Sequence, residues 1–128
     1  MIKSFLHVKK AGSKGRGVFT KEPIRSRTII EVSPVLVLSA KDRKALDQTL
    51  LHDYIFEWGD TRRQCCVALG LVSLYNHAYN SNCEYEMDFE KQTITIRTVK
   101  AIQKGEELFI NYNGVHNNET PLWFEVEE

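Results

Sequence analysis

The chain has 128 residues, which is enough for one hydrophobic core and too few for a second one. Lys plus Arg equals Asp plus Glu at 17 each, and this formal net charge of zero argues against a dedicated nucleic-acid-binding protein. No apolar run reaches the roughly 18 residues of a membrane-spanning helix, and no signal-peptide core is visible, so we expect a cytoplasmic protein without a membrane partner.

The three cysteines predict neither a disulfide nor a metal site. They are Cys65, Cys66 and Cys83, an odd number in which two are adjacent. Adjacent cysteines rarely bridge to each other and are poor joint ligands for zinc, and the chain has no CxxC pair. We therefore expect reduced thiols in a cytosol-like compartment.

The first forty residues predict β-strands. Alternating and β-branched residues place strands over 5–10 and 18–20 and two more pieces over 29–38. Ser33-Pro34 separates those two pieces, because proline has no N–H to give to a neighbouring strand.

The middle of the chain predicts helical segments. Ser39, with Asp42 three residues later, resembles a capping box and predicts a helix over about 40–50. The aromatic segment 52–58 is strand-like. The pattern of the following segment, 64–75, suits a strand or a helix. We predict a strand at 65–67 and then a short buried helical piece that ends at about Leu74.

The last third predicts a hairpin and a final strand. Strands over 84–88 and 93–99 alternate around the turn 90–92, and a further strand covers 107–112. Many short strands with one or two short helices make a mostly-β domain of the α+β class.

The stretch 69–86 is the unusual part of this pattern. It starts as an apolar run and then carries Asn76-His77 and, five residues after the histidine, Asn82-Cys83. Asn and His are poor residues for a core element unless their polar groups are bonded there. Either His77 is a hydrogen-bonded core histidine and Asn76 a helix C-cap, or the pair belongs to a binding site.

Two further features are ambiguous when each is taken alone. Gly15-Arg16-Gly17 lets the backbone approach a ligand or make a tight turn. It does not fit the dinucleotide-binding fingerprint, because a strand follows it and no third glycine does. Tyr112, at the end of an apolar strand, is by default a hydrogen-bonded edge tyrosine.

Taken in order, three segments resemble the SET-domain family of protein lysine methyltransferases. They are Gly15-Arg16-Gly17-Val18-Phe19, Asn76-His77-Ala78-Tyr79-Asn80-Ser81-Asn82-Cys83 and Gly105-Glu106-Glu107-Leu108-Phe109-Ile110-Asn111-Tyr112. The family's counterparts are a GxG, an NHS-like stretch ending in PNC, and GEELTxDY. The resemblance implies a single SET domain over 1–128, with the motifs in a core at about 9–112. In size the chain is most similar to minimal viral and bacterial members.

Three residues depart from the family's motifs. Ala78, Ser81 and Asn111 stand where the family has Ser, Pro and Asp. The zinc-binding cysteine-rich segments that flank many members are also absent. The resemblance therefore leaves the tail, 113–128, to close the site.

For the fold, the resemblance implies a SET-type β-clip. In the family, the strand that ends near Tyr112 passes the segment Asn76-His77 in a knot-like crossing. This would explain the polar Asn residues in an apolar neighbourhood, because their side chains would bond the crossing backbone.

The resemblance implies S-adenosylmethionine as the cofactor and no metal. The backbone of the GxG would meet its methionine end, where side chains would obstruct the approach. Asn76 would bond its ammonium or carboxylate group, the backbone of His77 would bond the edge of its adenine, and an aromatic side chain of the tail would stack on the adenine. The residues implied for cofactor binding are Gly15, Arg16, Gly17, Asn76, His77, Tyr112, Trp123 and Phe124.

The resemblance also implies a narrow aromatic channel for the acceptor lysine. Burial and the positive sulfonium would favour the neutral amine over the ammonium, whose usual pKa is about 10.4. Tyr112 and Tyr54 are the implied catalytic residues: Tyr112 would align the amine with the methyl group, and Tyr54 would form a wall of the channel with Ile110. At the position of Ile110 the family carries a Phe or Tyr that governs the room for the methylated amine, and a tyrosine hydroxyl there would hold a water and limit the product to one methyl. Ile110 has no hydroxyl, so we expect di- or trimethyl lysine.

The first interpretation is therefore a protein lysine methyltransferase that acts on a histone or another lysine-containing protein. The alternative keeps the fold without the activity, as a SET-like module that binds or assembles a partner, and the joint presence of Tyr112, Asn76 and the GxG favours the enzyme. A third hypothesis, a small nucleic-acid-binding β-domain, is supported only by the N-terminal lysines and the exposed aromatic residues. The resemblance also allows a homodimer and, for a protein from a virus or pathogen, a location in the host nucleus.

Overall fold

The structure, a computed structural model, describes residues 1–112 and shows a chain built mainly of short strands. The strands are β1 (Leu6–Lys10), β2 (Arg16–Thr20), β3 (Ile29–Leu38), β4 (Phe56–Trp58), β5 (Gln64–Ala68), β6 (Asn76–His77), β7 (Cys83–Asp88), β8 (Thr93–Thr98) and β9 (Glu107–Ile110). The helical elements are the α-helix α1 (Ala40–Leu46) and 3₁₀ helices at Gly12–Lys14, Leu50–Tyr54 and Val72–Leu74. The predicted mostly-β, α+β class is confirmed. Within these residues, no helix has the length and apolar character needed to span a membrane.

The strands form two sheets. The four-stranded sheet has the order β1-β2-β9-β6, in which β6 and β9 are parallel and the other pairs antiparallel. The five-stranded sheet has the order β4-β5-β3-β8-β7 and is antiparallel throughout. One cluster of buried apolar side chains draws on both sheets, including Val18 and Leu108 from the first and Ile30, Ile94 and Ile96 from the second.

The five-stranded sheet is curled so that its two edges approach each other. The ring of Phe56 on β4 lies 5.6 Å from that of Tyr85 on β7, and the ring of Trp58 lies 4.9 Å from that of Phe89. In a flat sheet, edge strands four spacings apart would be about 19 Å from each other. The curl therefore leaves a groove between the edges rather than two remote borders.

The strand β3 is continuous, and the predicted break at Ser33-Pro34 was wrong. The first half of β3 pairs with β8 as far as Pro34, and the second half pairs with β5 from Val35 onward. Pro34 lies where the strand changes partner, and its carbonyl accepts from the N–H of Leu69 at 3.0 Å. Proline has no backbone N–H, and Pro34 lies at the point where the hydrogen-bonding partner of β3 changes from β8 to β5, so the strand can continue through it.

The segment after β3 begins as predicted and then differs. The hydroxyl oxygen of Ser39 accepts from the N–H of Asp42 at 3.1 Å, which confirms the predicted N-terminus of α1. The helix ends at Leu46 and not near 50, because the hydroxyl of Thr49 caps a separate 3₁₀ helix. That 3₁₀ helix covers the first half of 52–58, so only β4 is extended there and the prediction of a strand over the whole segment was wrong.

Most of the remaining predicted elements agree with the structure, but the last strand, predicted over 107–112, ends at Ile110. The hairpin of β7 and β8 is confirmed, as are β5 and the short helical piece that ends at Leu74. Along β8, residues 94, 96 and 98 are buried and their neighbours are not, which is the period of two that predicted the strand.

Candidate active site

Three neighbouring strands bring the three sequence motifs together. The strand β2 begins with Arg16 and Gly17, β6 consists of Asn76 and His77, and β9 begins at Glu107. In the four-stranded sheet, β9 lies between β2 and β6 and is bonded to both. The GxG, the Asn-His pair and the chain leading to Tyr112 therefore meet at one place.

The side-chain amide of Asn76 links these strands. Its Nδ2 donates to the carbonyl of Arg16 at 3.1 Å and to Oε2 of Glu107 at 2.7 Å. Gly17 packs against the same group: a Cβ added there would lie 2.5 Å from Oε2 of Glu107 and 2.9 Å from Nδ2 of Asn76. No other residue type fits at Gly17 unless that pair of side chains moves.

Gly15 meets a different requirement. Its φ is +81°, and a Cβ added there would have no neighbour within 4 Å. Its carbonyl accepts from the N–H of Ala11 at 2.6 Å, which closes the loop between β1 and β2. The first glycine therefore permits the turn, and the second permits the close approach.

We call the group formed by Gly17, Asn76 and Glu107 the polar corner. A carboxylate oxygen and the oxygen of a side-chain amide can both accept from an ammonium group. The polar corner therefore suits the ammonium end of a ligand. Glu107 was not singled out from the sequence, and the available signal was its place in the Gly-Glu-Glu motif, directly at the start of β9.

Tyr112 is held at three points. Its N–H donates to Nδ1 of His77 at 3.0 Å, its hydroxyl donates to the carbonyl of Tyr75 at 2.7 Å, and its carbonyl accepts from the hydroxyl of Tyr85 at 3.2 Å. Because Nδ1 of His77 accepts this bond, a neutral His77 carries its proton on Nε2. His77 is 5% exposed, so its ring is packed inside the protein.

The hydroxyl of Tyr112 stays protonated at neutral pH. Burial raises its pKa to about 12, and the neighbouring Tyr54, Glu107 and Tyr85 act in the same direction. The side chain can therefore donate and accept hydrogen bonds, but it does not supply a phenolate base under physiological conditions.

Tyr112 and Tyr54 line the same groove, which has a volume of about 740 Å³. The carbonyl of Tyr54 accepts from the hydroxyl of Ser73 at 2.7 Å, which fixes the 3₁₀ helix that carries this tyrosine. Ile110 is fully buried and is not among the residues that line the groove. The groove also contains aromatic and charged side chains, among them Phe56, Tyr85, Phe89, Arg43, Asp53 and Glu57.

Asn82 holds β9 from the side. Its Nδ2 donates to the carbonyl of Glu107 at 2.9 Å, and its Oδ1 accepts from the N–H of Phe109 at 2.8 Å. The hypothesis that asparagine side chains bond the neighbouring backbone is confirmed for this residue.

All three departures from the family's motifs are buried, and the side chains of two of them are hydrogen-bonded. The amide of Asn111 donates to the carbonyl of Tyr79 at 3.0 Å, a bond that an ionised Asp could not donate. The hydroxyl of Ser81 donates to the carbonyl of Cys83 at 2.8 Å. The substituted side chains are thus fitted to their local backbone.

Sequence reasoning missed the buried carboxylate of Glu31. Glu31 is 0% exposed and is a charged residue in an otherwise apolar part of β3. The pairing of β3 with β8 shifts register between Ile29 and Glu31, and this β-bulge leaves Ile30 and Glu31 both buried. An isolated acidic residue within an apolar strand was the only signal in the sequence.

The predicted adenine-stacking residues, Trp123 and Phe124, lie outside the described residues. Within 1–112, no group of three or more His, Cys, Asp or Glu side chains could hold a metal ion.

Comparison with known proteins agrees with these observations. The SET domain matches residues 15–113 of the chain. A histone-lysine N-methyltransferase of Schizosaccharomyces pombe, named as specific for H3 lysine-37, is 38% identical over 128 residues, which are 99% of this chain and 82% of the relative.

Solved structures share the fold. A Plasmodium falciparum protein described as a histone methyltransferase superposes with a TM-score of 0.63 at 24% identity, covering 87% of this chain and 95% of its own. A chain of Chaetomium thermophilum Polycomb Repressive Complex 2 superposes with a TM-score of 0.71 at 21% identity, covering 88% of this chain and 16% of its own.

Proposed function

Since the chain belongs to the SET-domain family and is a protein-lysine N-methyltransferase, we propose that it transfers methyl groups from S-adenosylmethionine to a lysine of histone H3. The observation that carries this proposal is the position of Tyr112. Tyr112 lines the groove, while its backbone is joined through His77 to the strand that begins with Asn76. A substrate site and a cofactor site would then meet at Tyr112.

The polar corner is the proposed site for the amino-acid end of the cofactor. S-adenosylmethionine, when bound, supplies a methyl group on a positively charged sulfur. Glu107 would accept from its ammonium group, and Oδ1 of Asn76 would accept from the same group, because both N–H bonds of the Asn76 amide are already donated to Arg16 and Glu107. Gly17 leaves room for these two side chains to meet. The close packing of these three residues supports this assignment.

Tyr112 would act by positioning the substrate amine. Its hydroxyl already donates to the carbonyl of Tyr75, so its oxygen lone pairs remain the groups that could accept from the lysine amine. Because the pKa of Tyr112 is about 12, the hydroxyl does not take the proton itself. The amine would lose its proton before transfer, because burial and a nearby positive charge disfavour the ammonium form.

The groove would hold the substrate as an extended segment. Its walls come from β4, which contributes Phe56 and Glu57, and from β7, which contributes Tyr85 and Met87. Both are edge strands of the five-stranded sheet, and an exposed edge can pair with an extended peptide. Tyr54 would form part of the wall around the lysine side chain.

The expected product is di- or trimethyl lysine. This expectation rests on the family's motif, in which the residue at the position of Ile110 governs the room beside the amine, and not on the lining of the groove. Ile110 carries no hydroxyl that could hold a water there and limit the reaction to one methyl group. A product mass that stays at one methyl after long incubation with excess enzyme would contradict this expectation.

Incubation of the protein with methyl-labelled S-adenosylmethionine and recombinant histone H3, followed by mass spectrometry of tryptic peptides, tests the proposal. We expect label on a lysine, with the peptide that contains H3 lysine-37 as the first candidate because of the yeast relative. A lysine peptide library serves as the second substrate. A protein that binds the cofactor but labels neither substrate would instead be a SET-like binding module.

A further inference from the structure

We propose that Tyr75 and Glu31 are positioning residues: the carboxylate of Glu31 fixes Tyr75, and the backbone carbonyl of Tyr75 fixes the hydroxyl of Tyr112. This inference rests on the proposed role of Tyr112 in methyl transfer. It assigns a task to a buried carboxylate that lies outside the polar corner and outside the groove.

The contacts of Glu31 carry the first step. Its Oε1 accepts from the hydroxyl of Tyr75 at 2.8 Å, and its Oε2 accepts from the hydroxyl of Ser33 at 2.6 Å and from the N–H of Leu71 at 2.7 Å. A buried carboxylate is costly unless such donors surround it. With donors on both oxygens, Glu31 is a fixed anchor inside the core.

The local backbone is built around this anchor. A Cβ added at Gly70 would collide with Oε2 of Glu31 and with Oγ of Ser33, so a glycine is needed for the chain to pass there. The N–H of the next residue, Leu71, then reaches the carboxylate. The segment that leads to Tyr75 is thus docked on Glu31 at its start and, through the Tyr75 hydroxyl, at its end.

Tyr75 connects this anchor to the site. It is 0% exposed, and it is bonded at two ends, by its hydroxyl to Glu31 and by its carbonyl to the hydroxyl of Tyr112 at 2.7 Å. If the ring is held, the peptide group that presents the carbonyl cannot turn freely. A displacement of about 1 Å in a positioning group can lower turnover by about 10²-fold.

A double-mutant cycle with Tyr75→Phe and Tyr112→Phe tests the inference. Tyr75→Phe keeps the ring and leaves Glu31 two of its three donors, so the variant should fold. We expect kcat to fall about 10-fold or more, while KM and the affinity for S-adenosylmethionine change by less than about 2-fold. In the Tyr112→Phe background, the same substitution should change kcat by less than about 2-fold, because the hydroxyl that it positions is gone.

Ser33→Ala is the matched control. It also removes one hydroxyl donor from Glu31, but Ser33 has no hydrogen bond to Tyr75 or Tyr112 among the described contacts. Its melting temperature should fall about as much as that of Tyr75→Phe, with kcat unchanged per molecule that binds cofactor. Equal losses of kcat in both variants, or a Tyr75→Phe effect that is the same with and without the Tyr112 hydroxyl, would overturn the inference.

A second pair of variants covers the case in which Tyr75→Phe does not fold. Glu31→Gln can turn its oxygen towards the N–H of Leu71 and donate from its NH2 group to the hydroxyl oxygen of Tyr75, whereas Glu31→Met can bond neither. We therefore expect kcat to be clearly higher for the glutamine variant, and equal values would refute the inference. The substrate is histone H3 or, if the wild-type protein leaves H3 unmodified, the library peptide that it labels. An inactive wild-type protein, or an unaffected Tyr112→Phe variant, would count against the proposed function itself, which separates the two failures.

Discussion

Removal of the Tyr112 hydroxyl distinguishes a catalytic role of this residue from a structural one. Tyr112→Phe removes the bond to the Tyr75 carbonyl and keeps the ring, so the free energy of unfolding should fall by only about 1 kcal/mol. If the hydroxyl positions the amine, kcat should fall by roughly 10²-fold or more, while cofactor affinity stays the same. Melting temperature, calorimetric binding and initial rates on one preparation give all three quantities. Full activity in a well-folded variant would leave Tyr112 as an edge tyrosine.

Asn76 is expected to act on the cofactor. Asn76→Ala removes the donor to Arg16 and Glu107, so the polar corner loses its fixed arrangement. Affinity for S-adenosylmethionine should weaken by about 1–3 kcal/mol, the range for a lost hydrogen bond to a charged group. Calorimetry measures this change, and Asn80→Ala, an exposed asparagine in the same segment, is the control. Equal affinities of the two variants would remove Asn76 from the cofactor site.

At the scale of elements, β9 is the strand on which the site depends. It pairs with β2 on one side and with β6 on the other, and Asn82 bonds its backbone twice. It carries Glu107 at one end and leads to Tyr112 at the other. A small displacement of β9 would therefore disturb the proposed cofactor and substrate sites together.

Substitution of Asn82 tests how firmly β9 is held. Asn82→Ala loses both backbone bonds, so we expect a loss of about 1–3 kcal/mol in the free energy of unfolding, measured with urea. Asn82→Asp keeps an acceptor for the N–H of Phe109 and loses the donor to the carbonyl of Glu107. Amide exchange at Phe109 should thus be faster in the alanine variant than in the aspartate variant. The same protection in both variants and in the wild-type protein would contradict this role.

For the whole molecule, buried thiols and phenols predict a loss of stability at high pH. Burial raises the pKa of Cys66 from 9.0 to about 12 and the pKa of Tyr85 from 10.0 to about 12, and it also raises those of Tyr75 and Cys83. Below about pH 7.5 these groups are protonated in the folded and the unfolded chain alike. Above that pH the unfolded chain loses protons that the folded chain keeps, so the free energy of unfolding falls.

The expected slope is about 1.4 kcal/mol per pH unit for each group, once the pH exceeds the pKa that the group has in the unfolded chain. Urea unfolding at intervals from neutral pH to about pH 11 measures it. In Cys66→Ala, the free energy of unfolding should fall less steeply with pH, because the contribution of one thiol to the slope is missing. The difference from the wild-type protein should appear near pH 9, where thiols of the unfolded chain ionise. A stability that stays constant to pH 11 would contradict the assignment of these groups as buried in their neutral forms.

Local patterns in the sequence were sufficient for several elements of the fold. The hairpin of β7 and β8 follows from alternation around a polar turn, and the start of α1 follows from the spacing of Ser39 and Asp42. Each of these depends on residues close together in the chain, where periodicity and capping act directly. The three motifs likewise identified the family from their order, without information on how they meet in space.

The tertiary structure decided what depends on partners far away in the chain. Pro34 is tolerated because β3 changes from β8 to β5 there, and Glu31 lies inward because a bulge forms against β8. Nothing adjacent to these residues in the chain specifies either pairing. The same holds for the polar corner, in which Asn76 bonds a carbonyl 60 residues earlier, and for the groove between β4 and β7. A sequence read locally can determine which residues are available for chemistry, but the long-range pairing of strands sets which of them lie within bonding distance.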